Sequence, residues 1–368
     1  AAHQHIAQAC GFALLQADQA DVLRDAAVRR QDDQTAVVPD KLKHLFNGGL
    51  VGLGLEFGDN KIRWTNLYIR DTLKHTRISL GTRNQTNAEW QQQDTAWYER
   101  QLIDTQFVAE LKPLDGVSVD LRGGYANSQR EAPYELGFEY VRTNAAADPT
   151  GAYFINRLNR AVGNGTSVFS KLSEELWSAG ADVTYEVTDM ITTTVGGTWS
   201  DTQRTSSRRG FIFDAPGTMP QGLGLLRPDL LLGTQLVNYF EIGLLEDDES
   251  TPAFLATLEN WAGYGKVNVQ LTPEFGVEAG VRYEKADQTV TPIQVFTNSS
   301  GSSATTGLSR AYWLPAGTVT WEAMPDLQLR LSASKTIARP QFRELIYQPF
   351  FDPDSNRVYL GNPLLVDS

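Results

Sequence analysis

Arginine is the residue type in this chain with the clearest capacity for recognition chemistry. Arg204, Arg208 and Arg209 sit in a Ser/Thr-rich stretch, followed by Phe211, Phe213 and a segment rich in Pro and Gly. A planar guanidinium pairs in fork geometry with carboxylates and phosphates. The stretch 201–232, read as a long loop, is therefore a candidate contact for an anionic ligand such as a carboxylate-bearing chelate or an acidic sugar. Arg204, Arg208, Arg209 and Phe211 are its named residues. The plainer readings of the same arginines are a solvated basic patch, or pairing with carboxylates of the protein or phosphates of lipopolysaccharide.

Other chemistry is sparse. There is no Gly-x-Ser-x-Gly, phosphate loop or His-Glu-x-x-His, and four histidines are too few to support a triad, so no catalytic residues and no enzyme are expected. His3 and His5 share one side of an extended segment but read as solvated residues. The acidic run 246–249 and the pair Glu174-Glu175 read as loop charges. Asp352-x-Asp354-x-Asn356 opens like a calcium loop, but Arg357 stands where that loop needs glycine and Pro363 where it needs glutamate. No metal and no cofactor is expected. Cys10 is the only cysteine, which excludes an internal disulfide and a thiolate cluster.

The elements that must position these side chains are strands. The 368 residues are 41% hydrophobic and carry a net charge of −12, which argues against nucleic acid as a partner. Mean hydropathy is −0.32, and no apolar run reaches the roughly 18 residues of a membrane helix. A membrane barrel stays open, because alternating strands average to a soluble-looking hydropathy. Leu327, Leu329, Leu331 and Ala333 alternate with Gln328, Arg330, Ser332 and Ser334, the period of a strand with one apolar and one wet face. The same alternation marks 49–57, 61–70, 97–111, 116–128, 181–187, 191–199, 267–271, 277–283 and 319–321, giving about ten long strands. The connection 71–96 is read as a medium link, with room for a strand at 75–81.

Loop lengths alternate too. Turns at 58–60, 112–116, 188–190, 272–275 and 323–326 are short, whereas the links 129–175, 201–260 and 285–311 are long and polar. An outer-membrane barrel has short turns on its periplasmic side and long loops outside, while a soluble sandwich has no reason for such parity. Asp120, Arg122, Glu278, Arg282, Gln328 and Arg330 fall on the wet sides of their strands and are expected to face a lumen. Trp64, Tyr68, Trp97, Tyr98, Trp177, Trp199, Trp261, Tyr264, Tyr283, Tyr312, Trp313 and Trp321 gather towards strand ends, as interfacial girdles do. Residues 1–48 show no strand pattern and are expected to form a loop insertion with a short helix, leaving 49–368 as the barrel portion.

Ser334-Lys335-Thr336-Ile337-Ala338-Arg339-Pro340, then Phe342-Arg343-Glu344-Leu345, then Asp354-Ser355-Asn356-Arg357 and Gly361-Asn362-Pro363 resemble the barrel of TonB-dependent outer-membrane receptors. The runs 62–70 and 97–102 also look like strands of that family. The resemblance implies a transmembrane antiparallel up-and-down barrel of roughly 22 strands around a plug. It further implies TonB-energised uptake of a scarce ligand across the outer membrane of a Gram-negative cell: an iron chelate, cobalamin, an oligosaccharide or similar. Arg339 and Pro340 match the family motif and are read as structural, ending a strand at the outer rim. Implied partners are the TonB complex through a plug domain, the ligand, and outer-membrane lipid with lipopolysaccharide. The chain reads as an internal piece of such a protein, without plug or closing strands. A passive porin or adhesin barrel, and a secreted soluble all-β binding protein, are the competing readings.

Overall fold

The computed structural model describes residues 9–24, 34–83, 88–142, 153–217, 219–220, 222–247, 253–293, 304–324, 326–347, 349–352 and 357–368. Strands β1 (Ala9–Arg24), β2 (Gln34–Phe57), β3 (Asn60–Arg83), β4 (Ala88–Leu114), β5 (Val117–Val141), β6 (Asn164–Thr188) and β7 (Ile191–Asp214) form one antiparallel meander. It continues through β9 (Phe254–Thr272), β10 (Phe275–Pro292), β11 (Thr306–Met324) and β12 (Leu327–Ser334). The short β8 (Gly243–Asp247) pairs with the far end of β7, completing a twelve-stranded sheet among the described residues. A separate hairpin joins β13 (Pro349–Asp352) to β14 (Arg357–Leu360).

The tight turns stand where the sequence places them, at one end of the sheet. Gly58, Gly116 and Asp326 take φ of 57°, 74° and 73° there, the left-handed conformation that two-residue hairpins require. Away from those turns the strands run much further than the alternation suggests. The link expected at 71–96 is strand almost throughout: β3 and β4 pair from Lys61↔Glu110 to Arg83↔Ala88. Likewise β7 carries residues 201–214, which the sequence reading gives to a loop. In these far halves both faces are polar, so the period of two disappears from the hydropathy while the backbone ladder continues.

Residues 9–24 correct a second expectation. They form β1, not a loop with a short helix, and β2 runs across position 48. The β2 edge offers a row of unpaired N–H and C=O groups, and β1 fills it from Ala9↔Gly54 to Arg24↔Asp40, with an irregularity at Ala17/Ala20. Pairing to an existing edge overrides weak local preference.

Register fixes which side chains share a face. Leu53, Leu55 and Phe57 of β2, Trp64 and Tyr68 of β3, and Ile103 and Phe107 of β4 share one side and are exposed. So do Leu121 of β5, Tyr185, Val183 and Trp177 of β6, and Val195 of β7. Trp261, Val267, Val281, Tyr283, Trp313, Trp321, Leu329 and Leu331 complete the series on β9–β12. This is a continuous apolar belt, and among the described residues no second layer covers it. From Tyr185 to Trp177 it measures about 26 Å along the strand at about 3.3 Å per residue.

Aromatic pairs end the belt: Tyr125 with Trp177 (4.5 Å between ring centroids), Trp199 with Trp261 (5.9 Å) and Tyr283 with Trp313 (4.9 Å). They do not share one rung of the ladder. Trp177 stands opposite Asp201, two residues beyond Trp199, and Trp261 stands opposite Lys285, two residues beyond Tyr283. The aromatic line thus drops two residues for every two strands. A shift of about 6.6 Å along strands for about 9.6 Å across them is a strand tilt of roughly 35°.

Beyond the belt, two clusters provide the packed cores. The described loop residues 153–163, 215–217, 219–220 and 222–242 close on Phe138, Tyr140 and Phe213 through Leu158, Met219, Leu231 and Ile242. Two short helices, α1 (Pro228–Leu231) and α2 (Thr234–Tyr239), belong to this cap. Buried Asn156 ties it together, donating to the Asn164 carbonyl and accepting from the Leu158 N–H at 2.7 and 2.8 Å. Tyr140 donates to the Leu226 carbonyl at 2.9 Å, and burial, with the Asp229 charge nearby, raises its phenol well above the ordinary value. In the second cluster, Phe342, Leu345 and Ile346 pack on Phe254, Ala256 and Val290.

Candidate functional site

The face opposite the apolar belt is lined with charged and polar side chains. Asp120, Arg122, Glu278, Arg282, Gln328 and Arg330 all lie on it by register. Arg204 and Arg208 lie there as well, whereas Arg209 and Phe211, at odd positions of β7, lie on the other face. Arg209 pairs with Glu246 at 2.6 Å, and Phe211 meets Phe169 edge-on. The expected group of four is therefore divided by the strand period: two of its members lie on the polar face and two on the opposite one.

The polar face gathers arginines from strands far apart in sequence. On its far half, Arg100 of β4 stands directly across from Arg130 of β5. Arg130 lies over the Tyr98 ring at 4.8 Å and donates to the Ser170 hydroxyl at 3.1 Å. Arg208 reaches Glu135 with both terminal nitrogens at 3.3 Å, and Arg130 approaches the same carboxylate at 3.9 Å. Arg204 pairs with Glu174 and lies 5.0 Å from the centre of the Phe342 ring. Arg100 and Arg130 escape a sequence reading because no local cluster marks them, and Tyr98, expected in a girdle, lies on the polar face; only the β4–β5 register brings the three beside Arg208.

In three pairs of this face the carboxylate is sunk and the guanidinium stands out. Arg100 is 51% exposed against 16% for Asp71, Arg122 49% against 11% for Asp182, and Arg282 32% against 9% for Glu284. A guanidinium has five N–H donors and one carboxylate does not use them all. The accessible surface of this wall is thus rich in unspent donors, although its formal charges largely cancel. Guanidinium donors pair in fork geometry with planar oxyanions.

The segment 335–347 leaves β12 and crosses back over this face. Arg339 pairs with Glu284 at 2.6 Å, beside Arg282 at 2.8 Å, and the Pro340 carbonyl accepts from Gln288 at 3.0 Å. Gln341 and Glu344 form a capping box on the turn Phe342–Leu345. Arg339 and Pro340 therefore anchor a strap on β10. Tyr264 and Tyr312, expected in a girdle, also project to the polar face. Tyr264 lies across Gly196 and donates to Asp182, which accepts from Arg122 as well. Of the remaining sequence candidates, the 1–8, 248–252 and 353–356 stretches lie outside the described residues, as do the side chains of Cys10 and Asp352.

An antiparallel meander with tight turns at one end, mostly longer connections at the other, an exposed apolar belt and a polar reverse face is the wall of an outer-membrane-type β-barrel. The family described as TonB dependent receptor-like, beta-barrel matches residues 19–366, and the chain belongs to it. That family comprises receptors and transporters, not enzymes. Among solved structures, the siderophore receptor PiuA from Acinetobacter baumannii is similar over 81% of this chain at 11% identity, with a TM-score of 0.39. The chain spans 48% of that receptor's length. No curated protein matches.

Proposed function

We propose that this chain supplies part of the wall and the ligand-facing loops of a receptor in the outer membrane of a Gram-negative cell. Its ligand is a scarce anionic solute, such as a carboxylate-bearing metal chelate, and uptake is energised through TonB acting on a plug domain. The observation that carries the reading is the pairing of two faces on one set of strands. The belt meets lipid, and the guanidinium-rich reverse face is a lumen. The cap around Tyr140 and the strap at 335–347 then stand at the outer mouth, with Arg204, Arg208, Arg130 and Tyr98 between them, where an incoming ligand first meets the wall.

Gel migration of the full-length gene product extracted from outer membranes tests the barrel. It should run faster unboiled than boiled; a soluble product with no shift would discard the reading. Uptake of ferric citrate, as a carboxylate-bearing probe, should then depend on the protein and on TonB. Uptake equal with and without TonB would leave a passive pore.

A further inference from the structure

Deeper on the polar face than the outer arginines, at the level of the aromatic pairs, the wall is recessed. Gly124, Ala126, Ser178, Gly180 and Ser200 have little or no side chain there, and they floor a cavity of about 490 Å³. Two guanidiniums converge at its edge. Arg282 donates from Nη2 to the Thr198 hydroxyl at 3.2 Å. Gly180 stands opposite Thr198 on the next strand, and a Cβ built there would lie 3.7 Å from Arg122 Nε. Both arginines keep N–H donors beyond those given to Thr198 and to the sunken carboxylates Asp182 and Glu284. Asp104 also lines the cavity, but it accepts from Gln106 at 2.8 Å and lies opposite Ala126, on a rung removed from the two arginines.

We propose that this recess is a second binding station for oxyanions, in which Arg122 and Arg282 hold a carboxylate, phosphate or sulfonate group over the Gly180–Thr198 floor. The proposal rests on the barrel reading and extends it: an anionic solute released from the outer arginines meets a further guanidinium pair on its way through the lumen. The small residues matter as much as the cations. A larger side chain at Ser178, Gly180 or Ser200 would occupy the space the oxyanion needs.

The test uses the full-length protein in outer membranes, with every native cysteine, Cys10 included, replaced by serine as background and Ser200→Cys as reporter. The thiol introduced at position 200 is titrated with two reagents of similar size, sulfonatoethyl and trimethylammonioethyl methanethiosulfonate. After normalisation to their rates with a free thiol, the anionic reagent should react roughly tenfold faster. Inorganic phosphate should slow it, and Arg282→Gln should remove most of the preference. Equal rates, or a preference for the cation, would overturn the station. So would labelling by neither reagent, which would show the recess covered by another part of the protein. Each variant is first checked for faster migration unboiled; loss of that shift in the background protein would overturn the barrel reading itself.

Discussion

At the scale of single residues, the sharpest consequence of a two-faced strand is that neighbours obey opposite rules. Leu329 and Val281 lie in the exposed belt, and a cation placed there meets hydrocarbon. Leu329→Arg and Val281→Arg should each cost about 2–4 kcal/mol of folding free energy in bilayers. Arg330→Leu, one residue away on the polar face, should cost under about 1 kcal/mol, since its one described contact is a 3.4 Å bond to Gln328. Equilibrium folding of the full-length protein into lipid vesicles measures all three. Adjacent glycines make the same point by packing. A Cβ at Gly196 would collide with Asp182 Oδ1 and come within 2.7 Å of Tyr264 Cζ, while at Gly197 the nearest atom is 3.5 Å away. Gly196→Ala should therefore cost roughly 1–3 kcal/mol by lifting Tyr264 from Asp182, and Gly197→Ala should be close to neutral. The same vesicle assay separates them.

At the scale of elements, the strap 335–347 is held by a few named contacts rather than by a ladder. Phe342 is buried against Phe254 and Val290 and lies under the Arg204 guanidinium. Phe342→Ala should destabilise the strap locally by about 3 kcal/mol. The expected readout is faster proteolysis within 335–347, with gel migration of the barrel unchanged; proteolysis at the wild-type rate would show that the strap does not depend on this side chain. What the sequence reveals at this scale follows from where it alternates. Between the turns and the aromatic line, one face meets an apolar medium and the other a polar one, so Val183 or Val281 announces its strand. Past Trp199 both faces are wet, and Arg204, Arg208, Arg209 and Phe211 look like a loop although they continue β7 in register with β6. The strand β1 is hidden for a related reason: it is specified by the free edge of β2, a partner that lies outside its own window of sequence. Arg130 and Arg100 could not be nominated at all, since their proximity depends on which strand lies beside which.

For the whole molecule, the stepped aromatic line makes a geometric claim that no single contact makes. Trp177 and Trp313 end the belt on rungs four residues apart, which is about 13 Å along the strand. If the strands stood upright in the membrane, the two indoles would differ in depth by that amount. With a tilt of roughly 35°, the two-residue step per hairpin cancels the difference and both reach the same interface. Trp97, paired edge-on with Tyr134 and lying under Lys74, is six residues beyond the rung of Ile103 on the same strand and should stand clear of the bilayer. Fluorescence quenching by lipids brominated at defined acyl positions distinguishes these cases, using full-length variants that retain one of the three tryptophans with the others replaced by phenylalanine. Trp177 and Trp313 should be quenched most by the same shallow bromine position, and Trp97 by none. Different depths for Trp177 and Trp313 would contradict the tilt read from the register. Strong quenching of Trp97 would move the membrane boundary outward, and with it the outer arginines that the belt now leaves above the lipid.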